Sequence, residues 1–185
     1  QTGNIVISGG GIPVYAPTGG IVNSIGGIGR PRGVAVRDGR VLVSQDRDGV
    51  LSTADITQVN PQGEVINIGG GKPFPVAITK IGTVLAGATV DVEGNRIIEV
   101  DPVAKTKTAE ALINGVRKAS QLPPARGGWV LEALDAKALW AFLHVADRKL
   151  KFFTYGSLTE TREVDLSQRS EGLPCRLASE ETTGT

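Results

Sequence analysis

Residues 29–71 read GRPRGVAVRDGRVLVSQDRDGVLSTADITQVNPQGEVINIGGG, and residues 72–115 read KPFPVAITKIGTVLAGATVDVEGNRIIEVDPVAKTKTAEALING. The two stretches share one order of turns and strands. A Pro-containing turn leads into a short apolar run, Val34–Val36 and then Val76–Ile78. A glycine turn leads into a second, Val41–Ser44 and Val84–Ala86, and a third follows at Ile56–Val59 and Ile97–Val100. Asn60-Pro61 and Asp101-Pro102 then make a turn. In the first stretch a fourth run, Val65–Ile68, ends in Gly69-Gly70-Gly71. Short β-branched runs divided by Gly, Pro, Asn and Asp are strand and turn signals. Four strands in a repeat of about 43 residues are the signature of a propeller blade, because a sandwich would not repeat its turn chemistry at that period.

Residues 5–27, IVISGGGIPVYAPTGGIVNSIGG, carry part of the same pattern, with strands at Pro13–Tyr15 and Ile21–Ile25 around Ala16-Pro17. Residues 116–168 are more divergent. Gly128–Ala133, Ala138–Val145, Leu150–Tyr155 and Thr161–Leu166 read as four strands. Leu131, Leu134, Ala138, Ala141 and Val145 also fit helical spacing, and the repeat favours strands. The expected fold is all-β: a single domain over 1–185, a small β-propeller of about four four-stranded blades at 29–71, 72–115, 116–168, and 169–185 together with 1–28. The last blade is composite. Gly172-Leu173-Pro174-Cys175-Arg176-Leu177-Ala178 parallels the opening strand Arg30–Val36, and Gly3–Ser8 parallels the second strand Gly39–Ser44. Joining the two ends would protect strand edges, either within one chain or between neighbouring copies.

Composition narrows the function classes. Lys and Arg total 20 against 19 Asp and Glu, for a net charge of +1, which gives no electrostatic basis for binding nucleic acid. Arg30, Arg32, Arg37 and Arg40 alternate with apolar residues and read as the solvent side of a strand. No run of about 18 apolar residues is present to span a membrane. The single cysteine, Cys175, permits no intrachain disulfide and reads as a small buried residue, and the single histidine, His144, reads as a packed or hydrogen-bonded one. The chain starts at Gln1 and contains no methionine, which leads us to expect a processed chain and a secreted or cell-surface protein.

Pro31-Arg32-Gly33-Val34-Ala35-Val36, Gly39–Ser44, Val59–Val65 and Asn95–Pro102 resemble the strands and turns of NHL-repeat and gluconolactonase-like propellers. Departures from that pattern include Arg37 where the family has an acidic residue. The gluconolactonase resemblance implies a divalent metal, Ca²⁺ or Mg²⁺, held by oxygen ligands at the channel and polarising a lactone carbonyl. The residues it points to are Glu171, Asp46, Asp91 and Asn95. Glu171-Gly172-Leu173-Pro174 is the nearest string to the family's Glu-Gly-Pro motif, with a leucine inserted. Each of these side chains also suits a turn that caps its own backbone. No Ser-His-Asp set and no phosphate loop is readable, and no cofactor site is expected.

The leading functional expectation is a non-catalytic propeller that binds a protein partner or self-associates. A glycan is a further partner, and Trp129, Trp140, Tyr15 and Tyr155 are the few aromatic platforms for one. One alternative is a metal-dependent lactonase or hydrolase using the four residues above. The other is a self-assembling filament or surface-layer subunit joined by exchange of terminal strands.

Overall fold

The computed structural model describes residues 5–6, 12–45, 47, 49–79, 84–90, 94–118, 121 and 128–168. The chain is all-β and folds as a small propeller, with strands β1 (Ile5–Val6), β2 (Ile12–Tyr15) and β3 (Ile21–Ile25) in the first sheet. Three four-stranded antiparallel sheets follow. They are β4 (Pro31–Arg37), β5 (Arg40–Gln45), β6 (Val50–Asp55) and β7 (Glu64–Asn67); then β8 (Lys72–Ile78), β9 (Val84–Val90), β10 (Gly94–Asp101) and β11 (Thr106–Ile113); then β12 (Trp129–Leu134), β13 (Leu139–His144), β14 (Lys149–Thr154) and β15 (Glu160–Asp165). Within each sheet the strands lie in chain order. The first strands, β4, β8 and β12, pack side by side at the inner edge, with β8 between the other two. The strands facing outward are therefore β7, β11 and β15. β3 holds the corresponding outer position in the first sheet.

The blades adhere because their middle strands bury both faces. Successive side chains on a strand point to opposite sides. Val41 and Val43 of β5 pack toward the first sheet with Ile12, Ile25 and Ala54. Leu42, between them, packs toward the next blade with Leu51, Ile66, Val76, Ile78, Ile98 and Val100. β10 does the same one interface further on. Ile98 and Val100 face back, while Ile97 faces forward to Leu131, Trp140, Phe142 and Phe153. Strands buried on both faces read as continuous apolar runs rather than as alternation. Buried hydroxyls inside these strands are hydrogen-bonded. Thr53 Oγ1 donates to the Val41 carbonyl at 3.0 Å, and Gln45 Nε2 donates to Ser52 Oγ at 2.5 Å.

One expectation is corrected, and the strand reading of Val130–His144 holds. The third strand of the first full blade is Val50–Asp55, and residues 56–59 form a turn. The Asp55 carboxylate accepts the Thr57 backbone N–H at 2.9 Å and its hydroxyl at 2.5 Å, which bends the chain out of the strand before Asn60 enters a left-handed conformation at φ 47°. The helical alternative over Val130–His144 is not adopted. β12 and β13 pair through Trp129↔His144 to Leu134↔Leu139, joined by a short 3-10 turn at Asp135–Lys137 and by Ala138 at φ 50°. The proposed pairing of residues 172–178 with the first sheet lies outside the described residues.

Gly49 shows how tightly adjacent turns meet. Its φ is +67°, and a Cβ built on it would sit 1.8 Å from the Gly69 carbonyl oxygen. Its N–H donates to the Gly71 carbonyl and its carbonyl accepts the Ile68 N–H. The glycine run after β7 is thus a receptor for the turn before β6, as well as a blade-to-blade connection.

Ile98 is fully buried between two blades. Ile98→Ala removes that contact and leaves a cavity, and is expected to lower unfolding free energy by about 2–5 kcal/mol. Val103→Ser, at a side chain 72% exposed, is expected to change it by less than about 0.5 kcal/mol. Urea midpoints of the two variants check both values.

Candidate functional site

The C-terminal ends of the inner strands converge on a polar cluster. Arg37 ends β4, Ile78 ends β8, and Asp135 follows β12 directly. Arg37 Nη1 donates to the Ile78 carbonyl at 3.2 Å and to Asp135 Oδ2 at 2.8 Å, so one guanidinium joins three blades. Its side chain is only 23% exposed, which corrects the reading of Arg37 as a solvent-side residue. Arg37 lies on the same side of β4 as Ala35, which packs toward the second full blade, and that direction aims it inward. Tyr155 donates its hydroxyl to the other Asp135 oxygen at 3.1 Å. Burial, reinforced by the Asp135 carboxylate, pushes that phenol strongly upward and keeps it a donor.

Behind this cluster, Glu99 is buried at the interface of the last two blades. Its carboxylate accepts the Trp140 indole N–H at 3.1 Å and the Gly156 backbone N–H at 2.8 Å. Burial raises its pKa against those two donors. Burial also raises Glu132, on β12, with Arg37 offsetting part of the shift and Asp135 adding to it. The axial end therefore holds one guanidinium and two carboxylates, Asp135 and Glu132, at partial exposure, with Glu99 buried behind them; Val36, 44% exposed, points to the other face of β4.

A second polar cluster closes the opposite end of the same interface. Asp147 accepts the Arg117 backbone N–H at 2.6 Å and pairs with its guanidinium. Burial works to raise Asp147, and the Arg117 donors outweigh it and hold the carboxyl below its usual range. His144 is fully buried. Its Nδ1 accepts the Asp147 N–H at 3.1 Å, and its ring stands edge-on to Trp129 at 5.8 Å. The Asp147 carboxylate also lies 3.2 Å from that nitrogen, which would suit an ion pair. Burial outweighs it and lowers the His144 pKa, so the neutral ring, with its proton on Nε2, is the form present at neutral pH. The expectation of a packed, hydrogen-bonded histidine holds.

Of the residues to which the metal reading pointed, Asn95 alone is described. It sits on β10, third from the axis, buried, with Nδ2 donating to the Arg117 carbonyl at 2.9 Å and Oδ1 without a partner. Glu171, Asp46 and Asp91 lie outside the described residues. Among the described residues, no three His, Cys, Asp or Glu side chains are grouped to hold a metal ion, and no helix is long and apolar enough to cross a membrane. Sequence reasoning missed Glu99, Glu132 and Asp135. Acidic residues inside apolar strands, as in Ile97-Ile98-Glu99-Val100, were the available signal.

No protein-family model and no curated protein sequence matches this chain. Solved structures do match. A chain of the mitotic checkpoint complex aligns at TM-score 0.64 and 11% identity over 89% of this chain and 47% of that one. BamB from Moraxella catarrhalis aligns at 0.59 and 15% over 96% and 50%. A chain of the nidogen/laminin complex aligns at 0.61 and 14% over 92% and 60%. At these identities the likeness defines the class, a β-propeller, and the chain spans about half the length of the propellers it matches.

The Arg37–Asp135 pair is testable as a tie between blades. Arg37→Met is expected to cost about 1–3 kcal/mol, and a double-mutant cycle with Asp135→Asn is expected to show a coupling of about 0.5–1.5 kcal/mol, read from urea midpoints.

His144 predicts a pH dependence. The unfolded histidine takes up a proton near pH 6.5 and the folded one resists it, so its contribution is present above that value and is lost as pH falls. Glu99 and Glu132 act with the opposite sign, losing stability as pH rises through their raised values. The difference between the native chain and His144→Asn isolates the histidine. Thermal midpoints between pH 8 and pH 5.5 are expected to fall less steeply in the variant; equal slopes would refute the assignment.

Proposed function

We propose that the chain is a non-catalytic binding module that holds a protein partner at the axial end formed by β4, β8 and β12. One observation carries this reading: Arg37 ties three blades into a rigid platform whose rim carries charge of both signs on Arg37 and Asp135, with the exposed apolar side chain of Val36 next to it in the chain, on the other face of β4. Rigid, partly desolvated charge beside an apolar anchor suits a protein contact, where electrostatics gives register and the apolar group gives affinity. Two similar structures are of complexes, the mitotic checkpoint complex and the nidogen/laminin complex, in keeping with this reading. The NHL-like turn chemistry of Pro31–Val36 and Asn95–Pro102 supports an NHL-type module.

A photo-reactive residue at position 36 is expected to cross-link a discrete protein in an extract of the native source, and Arg37→Glu is expected to abolish the product. The same probe at position 103 should give none. Equal labelling from both positions would refute the axial site. Lactone hydrolysis that requires added Ca²⁺ or Mg²⁺ would overturn the non-catalytic reading.

A further inference from the structure

Buried hydrogen-bonding groups of native proteins are satisfied by other protein groups or by a bound ligand, ordered water included, so an orphaned one points to a ligand. The far tier of the interface between the last two blades holds three such atoms. Asn95 Oδ1, His144 Nε2 and the Trp129 indole Nε1 are each buried without a hydrogen-bond partner. Asn95 and His144 are 3% and 0% exposed.

The strands bring these groups to one level. At the axial end, Glu99 of β10 bonds to Trp140 of β13. Asn95 stands four residues from Glu99 on the same face of β10, and His144 stands four residues from Trp140 on the same face of β13. Trp129 of β12 lies opposite His144 in register, with ring centroids 5.8 Å apart. A chain of hydrogen bonds joins the two sides. Asn95 Nδ2 donates to the Arg117 carbonyl, the Arg117 N–H donates to the Asp147 carboxylate, and the Asp147 N–H donates to His144 Nδ1.

Those bonds also fix what each orphaned atom can do. The Arg117 carbonyl only accepts, so the Asn95 amide gives it the nitrogen and keeps its oxygen as a free acceptor. His144 Nδ1 accepts, so Nε2 carries the proton and donates. The Trp129 indole N–H only donates. A metal ion would meet two N–H groups, and an anion would meet the Asn95 oxygen. The charged groups of this tier are already paired, Asp147 with Arg117 and Lys149 with Glu163. Two donors and one acceptor match a neutral hydroxyl, which offers lone pairs and an O–H.

We propose that Asn95 Oδ1, His144 Nε2 and Trp129 Nε1 hold a single water molecule enclosed between the last two blades. It accepts from the two N–H groups and donates to the amide oxygen, and about three hydrogen bonds are usual for an internal water. Asn95 thereby serves a neutral ligand in place of the divalent metal that the gluconolactonase resemblance implies. The water ties β10 to β12 and β13 at the end away from Arg37, so it does not depend on the partner site proposed there.

Nuclear magnetic resonance of the full chain tests this. The His144 Nε2–H and Trp129 Nε1–H resonances are both expected to show dipolar cross-peaks to water, with the sign that marks a residence of nanoseconds or longer. Magnetic relaxation dispersion of the water oxygen is expected to count one long-lived water fewer in Asn95→Leu than in the native chain. Trp129→Phe keeps an aromatic ring and removes one donor, and is expected to shorten the residence about tenfold. The cross-peaks are read on the native chain, so they decide the matter even where a variant does not fold. A missing water cross-peak at either N–H, added Ca²⁺ or Mg²⁺ that shifts both resonances, or an unchanged water count in folded Asn95→Leu would overturn the proposal.

Discussion

Burial of both faces of the middle strands is the constraint on which the structure rests. β5 and β10 each send alternate residues into different cores, Val41 and Val43 against Leu42, and Ile97 against Ile98. A blade built this way has no solvent face along its centre, so it holds its shape only when stacked between neighbours. Polar chemistry thereby collects mainly at the ends of the interfaces; Lys151, buried opposite Phe142, is an exception, and its ammonium is paired with Glu160 and Glu163. The hydroxyls that do enter, on Ser44, Ser52 and Thr53 among them, hydrogen-bond at once to groups of the same sheet.

The interface between the last two blades shows the result in three tiers. Glu99, Trp140 and Tyr155 occupy the axial end; Ile97, Phe142 and Leu131 the middle; Asn95, His144 and Trp129 the far end. Both polar tiers use groups whose charge state burial controls. Glu99 is raised and His144 lowered, so each is biased toward its neutral form. Neutral polar groups cost far less to desolvate than charged ones. This explains how the two ends can be polar without opening the interface to water.

Much of the fold was legible because turn chemistry recurs. Pro31, Gly39 and Asn60-Pro61 mark the turns of one blade, and the same markers return in the next. The third full blade lacked the Asn-Pro or Asp-Pro turn, yet β12 to β15 form at the runs read for them. The displaced third strand, Val50–Asp55 instead of Ile56–Val59, reflects an ambiguity of pattern: a strand buried on both sides has no alternation to set its limits, and the decisive signal was the local capping by Asp55. The axial cluster was less legible. Arg37 looks like a solvated residue in sequence, and its partner Asp135 is 98 positions away, so only the closing of the inner strands brings them together.

The chain has two tryptophans, and both belong to that one interface. Trp140 is fully buried with its indole bonded to a carboxylate, and Trp129 lies at the far rim against the His144 ring. Intrinsic fluorescence is therefore a local gauge. Its emission follows the separation of the last two blades and is nearly blind to the first sheet, so an optical transition and a backbone transition that fail to coincide would mark a propeller that opens blade by blade.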